Sequence, residues 1–206
     1  MPCLLTVDSL YTSPWAMSVF VALTEKGVPF SVATVDLALG QQHGAFAAST
    51  LTARVPALTD GDFVLTESAA ITEYLEERFP APEYVSLYPH DRHQRARARQ
   101  LQAWIRSDLQ AVRVERDMET VLLGKASAPL TAAGQAAAAK LLHVAGQLVH
   151  GPHLFDAWTI ADLDLAVMLQ RLIVAGDPVP PRLAAYAGRQ WQRPSVRQWP
   201  GRQRAG

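Results

Sequence analysis

The stretch ARVPALTDGDFVLTESAA, Ala53–Ala70, decides the fold. Two short β-rich runs, Pro56–Thr59 and Phe63–Thr66, flank Asp60-Gly61-Asp62, a hairpin signal in which glycine supplies the backbone a tight reversal needs. Thr66-Glu67-Ser68 then opens a helix over Ser68–Phe79. Its spacing turns Ala69, Ile71, Tyr74, Leu75 and Phe79 inward and Glu73, Glu76, Glu77 and Arg78 outward. Ahead of the first run sits Val55-Pro56. A proline at a strand start costs no ladder hydrogen bond, and that is the ordinary reading. In cis, Pro56 would instead leave the Val55 N–H and C=O free to pair with an extended peptide. Likewise Thr66-Glu67-Ser68 is a helix cap at its simplest. Read for chemistry, the N–H groups and positive dipole end at Ser68 suit a carboxylate, and Glu67 suits an ammonium. Proline, hairpin and polar helix start together form a grip for a small peptide.

Upstream, Leu4–Val7 reads as a buried strand and Ser9–Thr12 as a loop. Ser13-Pro14 starts a helix, serine as N-cap and proline at the first helical position. The helix carries apolar Trp15, Val19, Ala22 and Leu23 and stops at Gly27. Phe30–Asp36 is a second strand, parallel to the first because a helix joins them. Leu37–Thr52 is weakly patterned, with one irregular helix around Gly44–Ala48. The expected order is βαβαββα.

Pro80-Ala81-Pro82 opens a linker, and beyond it only helices are expected. Asp91–Glu119 reads as one long helix with Ala98, Leu101, Ile105, Leu109 and Val112 on one face. Thr131–His150 follows, with Leu141, Leu142, Ala145, Leu148 and Val149 inward. Thr159–Ala175 is apolar nearly all round, hence central, and Arg182–Gln192 closes the set. A loose tail is expected after Pro200. The expected division is residues 1–80, a linker over 81–88, and an all-α domain over 89–200.

Bulk properties exclude several functions. Of 206 residues, 49% are hydrophobic, and Lys+Arg equal Asp+Glu at 19 each, so no bulk attraction to nucleic acid or an anionic membrane arises. No apolar run approaches the roughly 18 residues of a membrane span, and no secretory leader is visible. The expectation is a soluble cytoplasmic protein. Cys3 is the single cysteine, which excludes an internal disulfide, a cysteine zinc cluster and a Cys-x-x-Cys pair. His90/His93 and His150/His153 have metal-like spacing but lack a third ligand nearby, so no metal is expected. Arg92, Arg99, Arg106 and Arg113 recur every seven residues without aromatic interleaving, so a solvated face or subunit interface is expected. Thr159-Ile160-Ala161-Asp162 is a structural capping box, Asp162 reaching back to the cap.

Val55-Pro56, the hairpin, Glu67-Ser68 and the following Ala70-Ile71-Thr72-Glu73-Tyr74-Leu75 resemble the glutathione-binding half of the glutathione S-transferase family, in its serine-type, theta- or zeta-like bacterial form. Ser13-Pro14-Trp15 sits where that family keeps its catalytic Ser, Tyr or Cys. Thr159–Asp162 and Arg193-Pro194-Ser195-Val196 extend the resemblance over nearly the whole chain. It implies a thioredoxin-like domain followed by an all-helical one, a homodimer, and glutathione as co-substrate. It also implies that Val55 holds the cysteinyl backbone, and Glu67 and Ser68 the γ-glutamyl end.

A serine hydroxyl is too weak a base to deprotonate a thiol, but it can donate a hydrogen bond to a thiolate favoured by a helix N-terminus. Ser13 is therefore the expected catalytic residue, with Thr12 and Tyr11 as neighbouring rivals and an N-cap role as the plain alternative. Tyr11 and Trp15 are expected to line the second-substrate side, and Arg113 to reach it. For the glycine carboxylate of glutathione the candidates are His43 and Arg54. Here the chain departs from the family pattern: the expected Asn-Pro reads Thr50-Leu51, and a frequent Lys reads Ala53. The implied reaction is attack by glutathione thiolate on a small hydrophobic electrophile, as in detoxification, or on an organic peroxide. The alternatives are a glutathione-dependent isomerase, and a non-catalytic binder or scaffold of the same fold. Without a cysteine at position 13, a mixed-disulfide mechanism is disfavoured.

Overall fold

Strand β1, Cys3–Asp8, lies inside a four-stranded sheet with β2 (Phe30–Val35), β3 (Ala57–Asp60) and β4 (Phe63–Thr66), in the order β2-β1-β3-β4, which is why Cys3, Leu5 and Val7 are all buried. A computed structural model describes residues 2–203 of the chain. They divide into two units, residues 2–87 with Trp199–Gly201, and a second built mainly of Tyr88–Gln198.

In the first unit, α1 (Pro14–Lys26) follows β1. Ser13 caps it, and Gly27 ends it at φ 67°, its N–H turned back to Leu23 and Thr24 carbonyls. Then come β2 (Phe30–Val35), a short turn at Gln41–His43, and α2 (Ala45–Ser49). The hairpin β3 (Ala57–Asp60) and β4 (Phe63–Thr66) leads into α3 (Ser68–Arg78). β1 pairs with β2 in parallel and with β3 antiparallel, as does β3 with β4. On α3, Ile71 and Leu75 are buried as expected, but Ser68 and Thr72 share that face, and Ala69, Tyr74 and Phe79 are half-buried. Lys26 locks α1 to the end of α3. Its buried ammonium meets Glu76 at 2.8 Å and donates to the carbonyls of Phe79 and Val85 at 2.8 and 2.9 Å.

The second unit is helical: α4 (Arg92–Ser107), α5 (Gln110–Glu115), α6 (Met118–Leu123), α7 (Ala132–Leu148), α8 (Ile160–Val174), α9 (Pro181–Trp191) and α10 (Pro194–Arg197). Every residue of α8 from Ile160 to Leu172 is buried, and α4, α5, α6, α7 and α9 pack around it. The single helix expected over Asp91–Glu119 is instead three. Asp108 and Asp117 break it, because a short carboxylate competes for local hydrogen bonds. Asp108 accepts the Trp104 indole N–H at 2.7 Å, and Asp117 caps α6 by accepting the Thr120 N–H at 2.8 Å. The apolar face runs through the breaks, and Ala98, Leu101, Ile105, Leu109 and Val112 are all buried. On α7, Gly134, Ala138, Leu141 and Ala145 are buried, whereas Leu142 and Leu148 are only half so.

The arginine stripe is not one solvated face. Arg92 and Arg99 are exposed, but Arg106 donates to Asp164 at 3.1 Å, beside a buried Tyr88–Gln102–Asp164 chain of hydrogen bonds. Of the tail expected to be loose after Pro200, the part up to Gln203 belongs to α11 (Pro200–Gln203) and residues 204–206 lie outside the described residues; Trp199, just before it, is fully buried in the first unit. No helix among the described residues is long and apolar enough to cross a membrane.

Candidate glutathione site in the first unit

Strand register gathers the candidate residues at one end of the sheet. Thr6 pairs with Ala57, Ala57 with Thr66, and Asp8 with Val35. The segments after β1, after β2, before β3 and after β4 therefore emerge together. They carry Ser13, His43, Arg54-Val55-Pro56 and Glu67-Ser68 respectively. The N-termini of α1 and α3 open at this same end, two positive dipole ends with no acidic residue in either first turn.

The Val55–Pro56 peptide bond is cis. Val55 is half-buried, and among the described residues neither its N–H nor its C=O has a protein partner. A hydroxyl pair, Thr52 to Thr66 at 3.0 Å, ties the segment before Val55 to the segment before Ser68.

Ser13 has extended backbone, φ −70° and ψ 115°, and its oxygen accepts the Ala16 N–H at 3.2 Å. Among the described residues its hydroxyl hydrogen goes to no acceptor, so it is available to a ligand. Thr12, the rival hydroxyl, donates to Asp8 at 2.9 Å and is already engaged. Tyr11 and Trp15 are half-buried beside Ser13 in sequence.

Among the described residues, three non-glycine residues have positive φ: Tyr11 at 55°, Ala53 at 53° and Glu67 at 70°. Each stands one or two positions before a candidate residue, Ser13, Val55 and Ser68. Such backbones cost of order 1–3 kcal/mol each and persist only where the surroundings over-determine them. Glu67 is exposed and its side chain makes no capping bond, while Ser68 is buried at the start of α3.

His43 and Arg54 are both exposed; His43 lies 3.3 Å from the Gln42 amide, and Arg54 makes no ion pair among the described residues. Arg113 belongs to the second unit, where it donates to the Ile105 carbonyl at 2.6 Å. Burial and the nearby Arg106 push its guanidinium below the ordinary value.

Two residues at this end of the sheet went unread in the sequence. Asp8, 4% exposed, accepts the Thr12 N–H at 2.6 Å and the Ser13 N–H at 3.0 Å. Trp199 donates its indole N–H to the Tyr11 carbonyl at 2.9 Å. An aspartate five residues before a Ser-Pro helix start was a legible signal for the first. The second comes from 188 residues away, and no local pattern marks it.

Family models agree with this architecture. The glutathione S-transferase N-terminal domain matches residues 9–83, and the glutathione S-transferase C-terminal domain residues 91–201. Human glutathione S-transferase theta-1 is 35% identical over 192 residues, 84% of this chain and 76% of that protein. Mouse glutathione S-transferase theta-3 is 38% identical over 117 residues, 54% of this chain but only 48% of that relative's length. Among solved structures, a glutathione transferase homologue from Burkholderia with bound glutathione superposes with TM-score 0.80 at 45% identity, covering 97% of this chain and 96% of that one. A maleylacetoacetate isomerase from Methylobacterium extorquens AM1, with bound malonate and glutathione, gives TM-score 0.75 at 28% identity, covering 97% of each chain. With a thioredoxin-like first unit and a helical second one, the chain belongs to the glutathione S-transferase family.

Proposed function

We propose that this protein is a glutathione transferase whose thiolate is stabilised by Ser13. The observation that carries the reading is the register that gathers Ser13, Val55 and Glu67-Ser68 at one sheet end, with the Val55 backbone and the Ser13 hydroxyl hydrogen left unpartnered among the described residues. A 45%-identical relative with bound glutathione supports the ligand.

In this reading the cysteinyl backbone of glutathione pairs with Val55 as an added strand would. The γ-glutamyl carboxylate meets the N-terminus of α3 and its ammonium meets Glu67. Arg54 or His43 takes the glycine carboxylate. The sulfur then faces Ser13 and the α1 dipole. A free thiol titrates near pH ~8.5, so lowering by about two units makes most bound glutathione anionic at neutral pH. The thiolate attacks an electrophilic carbon held near Tyr11 and Trp15; a C–S bond forms and the leaving group departs with its electron pair. With an organic peroxide the thiolate attacks oxygen instead, yielding an alcohol and a sulfenic acid. A second glutathione reduces that sulfenic acid to disulfide and water.

A glutathione-dependent isomerase is the second reading, favoured by the 28%-identical maleylacetoacetate isomerase that matches over nearly the whole chain. There the thiolate adds to a double bond and leaves again after rotation. A panel of electrophiles, organic peroxides and cis-dienoic acids, assayed with and without glutathione, separates these chemistries. Turnover that needs glutathione and falls in Ser13→Ala supports an enzyme. Tight glutathione binding with no turnover of any class would leave a binding protein.

A further inference from the structure

Two residues outside the segment, Asp8 and Trp199, bond the backbone of the three consecutive residues before α1. Asp8 accepts four hydrogen bonds from them: Tyr11 N–H to its carbonyl at 3.0 Å, Thr12 N–H and O–H to Oδ2 at 2.6 and 2.9 Å, and Ser13 N–H to Oδ1 at 3.0 Å. Trp199 donates its indole N–H to the Tyr11 carbonyl at 2.9 Å. The Trp199 ring also stands edge-on to Tyr11 at 5.4 Å and to Phe20 at 5.3 Å. Gly201 completes the contact, since a Cβ there would overlap the Tyr11 carbonyl and fall 2.8 Å from the Trp199 nitrogen.

These bonds accumulate on a segment that does not hold its shape unaided. Tyr11 sits at φ 55°, a backbone that a bulky side chain avoids. Ser13 needs extended backbone to cap α1, and the direction of its hydroxyl follows from the residue before it. A loop bonded only to itself would relax Tyr11 and swing Ser13. Backbone strain kept in place next to a candidate site by remote contacts is a sign of preorganisation.

We infer that Asp8 and Trp199 are positioning residues for Ser13, fixing the Tyr11–Ser13 backbone so that the hydroxyl is aimed at the glutathione sulfur. The inference rests on the reading of Ser13 as the thiolate donor. Both oxygens of Asp8 are required. An asparagine offers one acceptor oxygen where three donors converge, and its amide group would face an N–H. The negative charge itself does not favour a thiolate, so Asp8 serves through geometry. Trp199, in the part of the chain that rejoins the first unit after the helical one, makes the C-terminal segment a working part of the site.

The test is the thiol pKa of bound glutathione, read from ultraviolet thiolate absorbance against pH, with glutathione affinity and melting temperature measured alongside. Variants are Trp199→Phe, Asp8→Asn, Ser13→Ala and, as a control, Tyr74→Phe, which deletes one 2.7 Å hydrogen bond to Asp60 in the same unit. Trp199→Phe and Asp8→Asn are expected to raise the thiol pKa by roughly half a unit or more, with glutathione affinity changed less than about threefold. Tyr74→Phe leaves the pKa where it was. If Ser13→Ala raises the pKa while Trp199→Phe matches the wild type, the inference is overturned and the serine reading stands. If Ser13→Ala moves nothing, the serine reading and this inference fall together. Should Asp8→Asn fail to fold, Trp199→Phe decides alone.

Discussion

The Ser13 hydroxyl oxygen accepts the Ala16 N–H at 3.2 Å while its own hydrogen has no acceptor among the described residues. One side chain thus closes the first turn of α1 and, in the proposed function, also donates to the ligand. The two roles separate by substitution. Ser13→Ala is expected to lose the cap, about 1 kcal/mol of stability, together with most turnover. Ser13→Asp keeps a capping oxygen but has no O–H at neutral pH and adds a charge beside the sulfur, so it melts near the wild type and is equally inactive. Thermal melting and steady-state rates on the same preparations check this. Full activity in Ser13→Asp would assign the serine to the helix alone.

Glutathione has a carboxylate at each end, and the glycine end is the one for which the chain departs from family pattern at Thr50, Leu51 and Ala53. Losing a charge-assisted hydrogen bond there is expected to weaken binding about tenfold or more. Arg54→Ala and His43→Ala are compared on glutathione and on γ-glutamylcysteine, which lacks glycine. The residue that holds the carboxylate weakens the first and spares the second. Equal effects on both ligands, or none, would leave both side chains as exposed surface.

In the second unit, Asp162 is fully buried and accepts from Leu154, Thr159 N–H, Thr159 O–H and Tyr186 at 2.7, 2.8, 3.0 and 2.9 Å. Burial pushes its pKa up, against the pull of these four donors. Asp162→Ala strands them and is expected to cost about 3 kcal/mol or more, measured by urea unfolding. The sign of the pH effect follows from the raised value. Stability from the protonated form is fully present below about pH 3.9 and is lost as pH rises through the folded pKa. Asp162→Asn should remove that dependence.

Glu115 titrates the other way. The Thr131 hydroxyl at 2.7 Å and N–H at 2.8 Å hold its carboxyl below the usual range, and the same bonds secure the start of α7. Its contribution is present above about pH 4.3 and lost as pH falls through the lowered folded value. Glu115→Gln is therefore expected to flatten the acid limb of a stability–pH curve. A Cβ on Gly134 would overlap this carboxylate, so Gly134→Ala should displace Glu115 and flatten the limb similarly. A curve unchanged in both variants would refute the pairing.

Local chemistry made much of this chain legible. Ser13-Pro14 and Gly27 bound α1 as read, and Asp60-Gly61-Asp62 marks the β3–β4 turn, because capping and tight turns depend on a few adjacent residues. Apolar spacing gave the buried face of α4 and α5 but not the breaks at Asp108 and Asp117. A helix-period pattern is indifferent to a kink that preserves the face. Asp117 with Thr120 was a readable cap signal; Asp108 was not, since its partners are Trp104 and a lysine on another helix, Lys140. The inward turn of Arg106 depends on Asp164, 58 residues away, and the burial of Trp199 on Tyr11. Such pairings are set by tertiary packing and leave no trace at either residue alone. Within the candidate site, Ser13, Val55 and Glu67-Ser68 stood out through their own local signals; Asp8 and Trp199, which brace the loop leading to Ser13, did not.

The most direct test of thiol ionisation is calorimetric titration of the protein with glutathione at pH 7, in buffers of different ionisation enthalpy. A free thiol with pKa near 8.5 is protonated at that pH, so ionisation in the site must release a proton to the buffer. The expected result is release of most of one proton per glutathione bound, none with S-methylglutathione, and markedly less in Ser13→Ala. Glutathione binding to the wild type with no net proton release would contradict the account.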